Sequence, residues 1–157
     1  MEIGGNRPGS GRRRGVMGFT IFELLTVMMV IGVLAAIAVP SLRGALLKAE
    51  AAEVVGDLNV IKVAVLTCHA DHYSWPNARG RGQIPPELVE YLPEGFSFQK
   101  DDYVLGYENW SRRRRAPFNI GLTFVPQNEE LGLAVMELLG SSIWSNGGNK
   151  FTWIIDG

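Results

Sequence analysis

Gly18-Phe19-Thr20-Ile21-Phe22-Glu23-Leu24-Leu25, running on to Ile37-Ala38-Val39-Pro40, decides how the rest of the chain is read. From Phe19 to Leu42 the single charged residue is Glu23. Wound as a helix, this stretch is roughly 36 Å long, enough to cross the apolar core of a bilayer. Residues 1–18 hold Arg7, Arg12, Arg13 and Arg14 against one acid, Glu2. They are rich in Gly, Arg and Pro and have no apolar period, so they read as a leader set apart from the fold. The positive-inside tendency then puts the N-terminus in the cytoplasm and everything after Leu42 outside it.

The helical pattern does not stop where the uniformly apolar run ends. Leu47, Ala51, Val54, Leu58, Ile61, Val65 and Cys68 recur at alternating steps of four and three, which makes an apolar stripe on one face of a helix. Arg43, Glu50, Glu53, Asp57 and Lys62 fall off that stripe. The reading is one helix of about fifty residues from near Phe19 to near Ala70, amphipathic in its second half. Pro40 should kink or loosen it, and Gly32, Gly44 and Gly56 are further soft points.

The rest of the chain has a different texture. Pro85–Leu92 suggests a short helix with proline at its start. Phe96–Phe98, Tyr103–Trp110, Phe118–Val125 and Phe151–Ile155 are strand candidates, the middle two joined as a hairpin by a long basic loop. Glu129–Leu139 fits a helix ending at Gly140, and Ser145–Asn149 a turn. The expected fold is α+β: a long N-terminal helix whose amphipathic half packs on a small antiparallel sheet. The expected division is a leader (1–18), a membrane or filament-core helix (19–42) and an extracytoplasmic globular domain (43–157).

Bulk composition agrees. A chain of 157 residues suits one domain, and 46% hydrophobic with 20% charged residues suits a folded one. Without residues 1–18 the balance is 11 basic to 15 acidic residues, a net charge of −4. A basic head on a mildly acidic body is a targeting pattern rather than a nucleic-acid-binding average. The lone Cys68 excludes an intramolecular disulfide scaffold.

The run from Gly18 to Pro40 resembles the class III leader and N-terminal helix of type IV pilins and type II secretion pseudopilins. In that family a basic leader ends in Gly. A Phe, a Thr, two aliphatics and a Glu follow, then an unbroken apolar stretch reaching a proline. Gly18, Phe19, Glu23 and Pro40 stand at the matching positions, and Phe22 stands where an aliphatic is usual. The resemblance covers roughly residues 12–50. It implies that a prepilin peptidase cuts after Gly18 and N-methylates Phe19. It also implies that Glu23 meets the N-terminal amine of a neighbouring subunit during assembly. Partners implied are pilin-like subunits, and indirectly an inner-membrane platform and a motor ATPase. The implied site is the bacterial inner membrane, spanned once.

Physics supports a partner for Glu23. A carboxylate in a membrane helix costs several kcal/mol unless paired, and cleavage would create an amine one helical turn away. The competing reading of Glu23 is a tolerated polar residue near the interface. The competing reading of the whole run is a secretory signal peptide cut after Ala36-Ile37-Ala38. Against it stand the length of the apolar stretch and the acid inside it.

Arg112, Arg113, Arg114 and Arg115 form the most basic patch outside the leader. They offer an anionic-partner loop for DNA backbone, lipid or an acidic neighbour, against the plainer reading of a solvated hairpin loop. Trp110 and Phe118 beside them read as sheet core rather than base-stacking platforms. His69, Asp71 and His72 make a weak metal set, and helix-end histidines facing free carbonyls are the simpler account. Ser145–Lys150 contains no carboxylate to bind calcium. Phosphate-loop, nucleophile-elbow and paired metal motifs are missing, so the reading is a non-enzymatic structural subunit without cofactor. The alternative is a minor pilin-like DNA-uptake or adhesion protein using the Arg112–Arg115 loop.

Overall fold

The computed structural model describes residues 18–111, 118–145 and 149–156. Helix α1 runs from Ile21 to His72, 52 residues with Pro40 inside it. Two compact units divide the chain, Met1–Pro40 and Ser41–Gly157.

In the first unit every described residue is exposed, including Phe19 at 77%, Ile21 at 80% and Phe22 at 79%. A helix apolar on all sides is stable only where something other than water surrounds it, such as lipid or other helices. Its length and composition suffice to cross a membrane.

The second unit is built on the stripe. Ala51, Val54, Leu58, Ile61, Val65 and Cys68 are all buried, joined by Ala64, and Leu47 packs half-buried at the upper edge of the same core. After the helix, Pro86–Tyr91 makes the expected short helix, of 3-10 type. Pro85 and Pro86 lack amide donors, and Leu92 is held extended (φ −95°, ψ 149°) by the proline that follows it.

Strands β1 (Tyr103–Asn109), β2 (Ile120–Pro126), β3 (Ile143–Ser145) and β4 (Phe151–Asp156) form one sheet in the order β1-β2-β4-β3, with every neighbouring pair antiparallel. Register aligns Leu105 with Phe124, and Phe124 with Phe151; it also aligns Tyr107 with Leu122, and Leu122 with Trp153. That face, alternating along each strand, supplies the sheet's share of the core over α1. β1 and β2 form the expected hairpin, but Trp110 and Phe118 lie just beyond its ladder.

Phe96–Phe98 is not a strand. Gly95 takes φ +76°, and past it only Gln99 bridges to Val104, where the chain folds back at Asp101-Asp102 onto the edge of β1. Phe98 is buried all the same, its carbonyl accepting from the Leu105 amide at 2.7 Å. β3 has no counterpart among the expected strands, because three residues are too few to show a period.

Helix α2 (Glu129–Leu139) has the expected bounds. The Asn128 Oδ1 accepts from the Leu131 amide at 2.7 Å as N-cap, and Gly140 (φ +64°) ends the helix by donating to the Met136 carbonyl. Gly132 lets α2 approach β4: a Cβ there would lie 2.5 Å from the Phe151 ring and 3.3 Å from Pro126. Gly132→Ala gains up to about 1 kcal/mol of helix propensity yet overpacks a rigid aromatic contact costing about 1–3 kcal/mol. The net expectation is a lower melting temperature for the detergent-solubilised chain, measured by circular dichroism.

At the end of α1, Tyr73 takes φ +52° while its amide donates to the His69 carbonyl at 2.8 Å, a helix-end position that glycine fills without strain. Tyr73 is 91% exposed, so its ring contributes little packing. Tyr73→Gly should therefore raise stability by about 1 kcal/mol, read in the same melt.

Candidate functional site

The start of α1 is organised by two side chains. Thr20 precedes the helix, and the Glu23 Oε2 accepts from its amide at 2.9 Å and from its hydroxyl at 2.8 Å. In return the Glu23 amide donates to Thr20 Oγ1 at 3.2 Å. This reciprocal pair is a capping box: it satisfies donors that the first helical turn leaves open and puts a negative charge at the positive end of the helix dipole. The signal is present in the sequence as Thr-x-x-Glu at residues 20–23, but the family motif draws attention to Glu23 alone.

The capping box gives Glu23 a partner inside its own chain. The carboxylate stays within one helical turn of the Phe19–Thr20 backbone, where a new amine at Phe19 would arise. Gly18 lies before the helix and is exposed, and among the described residues no heavy atom lies within 4 Å of where a Cβ would sit. Gly32 and Pro40 both sit inside the continuous helix, and the space beside Gly32 is open.

Arg112, Arg113, Arg114 and Arg115 lie outside the described residues, as does Asn146 of the expected C-terminal turn. The residues flanking the arginine run are described. Trp110 stacks on Phe118 (centroids 5.0 Å apart, planes at 16°), and Trp144 of β3 meets Phe118 edge-on at 5.8 Å. Phe118 is buried, so this cluster closes the end of the sheet, as read from the sequence.

His69, Asp71 and His72 go to three different contacts. The His69 ring stacks on Trp75 at 3.8 Å, His72 meets Tyr91 edge-on at 6.4 Å, and Asp71 accepts from the Tyr91 hydroxyl at 3.0 Å. Among the described residues no group of three His, Cys, Asp or Glu is arranged to hold a metal ion.

One polar node has no counterpart in the sequence reading. Asp57 binds the Lys100 ammonium at 2.8 Å and accepts from the Tyr103 hydroxyl at 2.8 Å, tying α1 to the turn before β1 and to β1 itself. Burial and the Asp57 carboxylate push the Tyr103 hydroxyl far above its usual range, so it stays a donor at every physiological pH. Asp57 and Tyr103 are too far apart in sequence for any periodic signal to pair them.

Cys68 is buried at the lower end of the stripe, its thiol 3.6 Å from the Glu87 carbonyl. Burial pushes this thiol up, and the Glu87, Glu90 and Asp71 carboxylates push in the same direction, so little thiolate forms at neutral pH. The folded chain should therefore resist maleimide labelling at Cys68 for hours and react within minutes in denaturant, as measured by intact mass. Prompt labelling of the native chain would show that the core is open there.

No protein-family model matches the chain, and no solved structure matches it. Curated proteins do. It is 29% identical over 92 residues to the type II secretion system core protein G of Klebsiella michiganensis, covering 54% of this chain and 65% of that protein. It is 27% identical over 145 residues to the core protein G of Dickeya chrysanthemi, covering 84% and 93%. To the type IV major fimbrial protein FimA of Dichelobacter nodosus it is 35% identical over 54 residues, covering 34% and 35%. The matched stretch thus spans just under two thirds of the Klebsiella protein's own length. The Dickeya match reaches well past α1, so the likeness is not confined to the apolar helix.

Proposed function

Since the chain is pilin-like in both sequence and fold, we propose that it is a structural subunit of a type II secretion pseudopilus or a related type IV filament. A long apolar N-terminal helix and pseudopilin relatives fit an inner-membrane, single-pass protein. The observation that carries the proposal is the division of α1. Its first part exposes apolar side chains on every side, while its second part buries a single stripe under a sheet. A lone chain cannot keep both parts out of water. Lipid satisfies the first part before assembly, and the apolar helices of neighbouring subunits would satisfy it afterwards.

In this reading a prepilin peptidase cuts after the exposed Gly18 and methylates the new Phe19 amine. Thr20 holds the Glu23 carboxylate until the amine of a neighbouring subunit replaces it. Gly32 and Pro40 allow the helix to adjust as it leaves the bilayer for the filament. The globular unit lies on the extracytoplasmic side, and an assembly platform and motor ATPase supply the work. The protein performs no catalysis of its own.

Intact-mass analysis of the mature chain tests the processing. A methylated Phe19 terminus is expected, and a Val39 terminus would indicate an ordinary signal peptide. Glu23→Ala should be inserted and cut normally yet enter filaments at least tenfold less than wild type, by quantitative blotting of sheared filaments. Thr20→Val, which keeps the carboxylate but removes one of its donors, should lie in between. Normal filament entry of Glu23→Ala would overturn the assembly role.

A further inference from the structure

We propose that the hollow just past the end of α1 is a binding site for one ring of a neutral saccharide, a function separate from the filament reading above. Ser74, Trp75, Asn77, Ala78, Asn109 and Ser111 line it. They come from two distant stretches, the loop after α1 and the end of β1, and one backbone atom ties the two together. The Pro76 carbonyl accepts from the Tyr107 hydroxyl at 3.2 Å and from the Asn109 side-chain amide at 2.8 Å. The hollow holds about 190 Å³. That is below the roughly 300–1,000 Å³ of sites for drug-sized ligands, and suits a small ring.

The lining selects the chemistry. Among the described residues that form it none is charged, and four carry neutral hydroxyl or amide groups. Sites for apolar ligands have mainly apolar walls with a few polar groups, the reverse of this one. An ion would find no opposite charge in the wall. A sugar ring matches it: hydroxyls around the rim both donate and accept, and the C–H groups of its face pack on an aromatic surface. Trp75 is the aromatic residue of the lining. The His69 ring stacks on one face of it at 3.8 Å with planes 4° apart, so the indole is held in place and presents its remaining surface.

The polar groups are fixed before any ligand arrives. Asn77 Nδ2 donates to Glu87 Oε1 at 2.9 Å. A carboxylate only accepts, so this bond sets which way the amide points and leaves Asn77 Oδ1 to accept from a ligand. The Glu87 carboxylate is held below its usual range by its own amide and by Asn77, so it keeps that role at neutral pH. Asn109 is locked at both ends: Nδ2 donates to Pro76, and Oδ1 accepts from the Ser111 amide at 3.2 Å and hydroxyl at 2.6 Å. The Ser111 hydroxyl thus has its proton directed and its oxygen lone pairs left to accept, and the exposed Ser74 adds a hydroxyl that can do both. Groups that need no reordering bind at a lower entropic cost. Behind this wall, His69 Nδ1 and Glu87 Oε2 are buried without a partner among the described residues. Such atoms are few in native proteins, and both belong to the side chains that position Trp75 and Asn77.

The test uses the full chain in a detergent without a sugar headgroup, with maltotriose and the trisaccharide of N-acetylglucosamine as probes. The chain has four tryptophans, each giving one indole N–H signal in a nitrogen-15 spectrum. The Trp75 signal, assigned by its loss in Trp75→Phe, should shift alone with at least one probe, with a Kd of about 1 mM. Asn77→Ala and Ser74→Ala should each weaken binding about fivefold, the loss of one hydrogen bond. Asn59→Ala on α1 should leave it unchanged. Ser74, Asn77 and Asn59 are all exposed, so loss of folding would not mimic the result. A Trp75 signal that stays fixed up to about 20 mM of either probe would overturn the site. So would equal binding by the wild-type chain and the double variant Ser74→Ala, Asn77→Ala. An equal response to a short glycine–serine peptide would assign the hollow to polypeptide, and a preference for trigalacturonate over maltotriose would assign it to acidic sugars; either result overturns a neutral-saccharide site. None of these outcomes depends on whether the chain enters filaments.

Discussion

The burial of one stripe on α1 under the sheet is the contact on which the globular unit depends. Ala51, Val54, Leu58, Ile61, Val65 and Cys68 are each at most 3% exposed, and the inner faces of β1, β2 and β4 close over them. A four-stranded sheet of this size has an apolar face that water cannot be left to solvate, and a helix alone does not hold its shape through propensity. Each element supplies the surface the other needs. Short connections then do the rest: the Asn128 cap, the Gly140 stop and the close seat of Gly132 on Phe151 fix α2 at the edge of the same core.

The same helix meets the opposite condition in the first unit, where no described residue is buried. From Phe19 to Pro40 the single charged residue is Glu23, and Thr20 holds it at the helix start. A carboxylate in that setting has to be satisfied by nearby donors, and the capping box supplies them from within the chain. An exchange of partners at this point, from Thr20 to a neighbour's amine, is a small local event. It requires no rearrangement of the globular unit. In the proposed function, the chemistry of processing and the mechanics of assembly thus meet on five residues, Phe19 to Glu23, while the sheet domain is free to diverge.

Among the described residues, features that suggest candidate chemistry in the sequence have structural explanations. The histidines at the end of α1 pack against Trp75 and Tyr91, and the aromatic residues flanking the arginine loop stack on one another at the sheet end. Cys68 is a core side chain whose thiol is kept protonated.

How much of this is legible in the sequence depends on how far each signal reaches along the chain. The uniform apolarity of Phe19–Leu42, the four and three spacing from Leu47 to Cys68, and the Asn128 to Gly140 punctuation of α2 are local patterns, and each specifies its element. The Thr20–Glu23 capping box is equally local and can be read from spacing. By contrast, β3 is three residues long, Phe98 is buried without belonging to a strand, and Asp57 finds Lys100 and Tyr103 at a long remove along the chain. None of these leaves a periodic trace, because each exists only once the sheet has chosen which side of α1 to cover. The sequence determined that α1 would have a buried face; only the tertiary structure decided which strands and turns cover it, because those contacts join residues far apart in the chain.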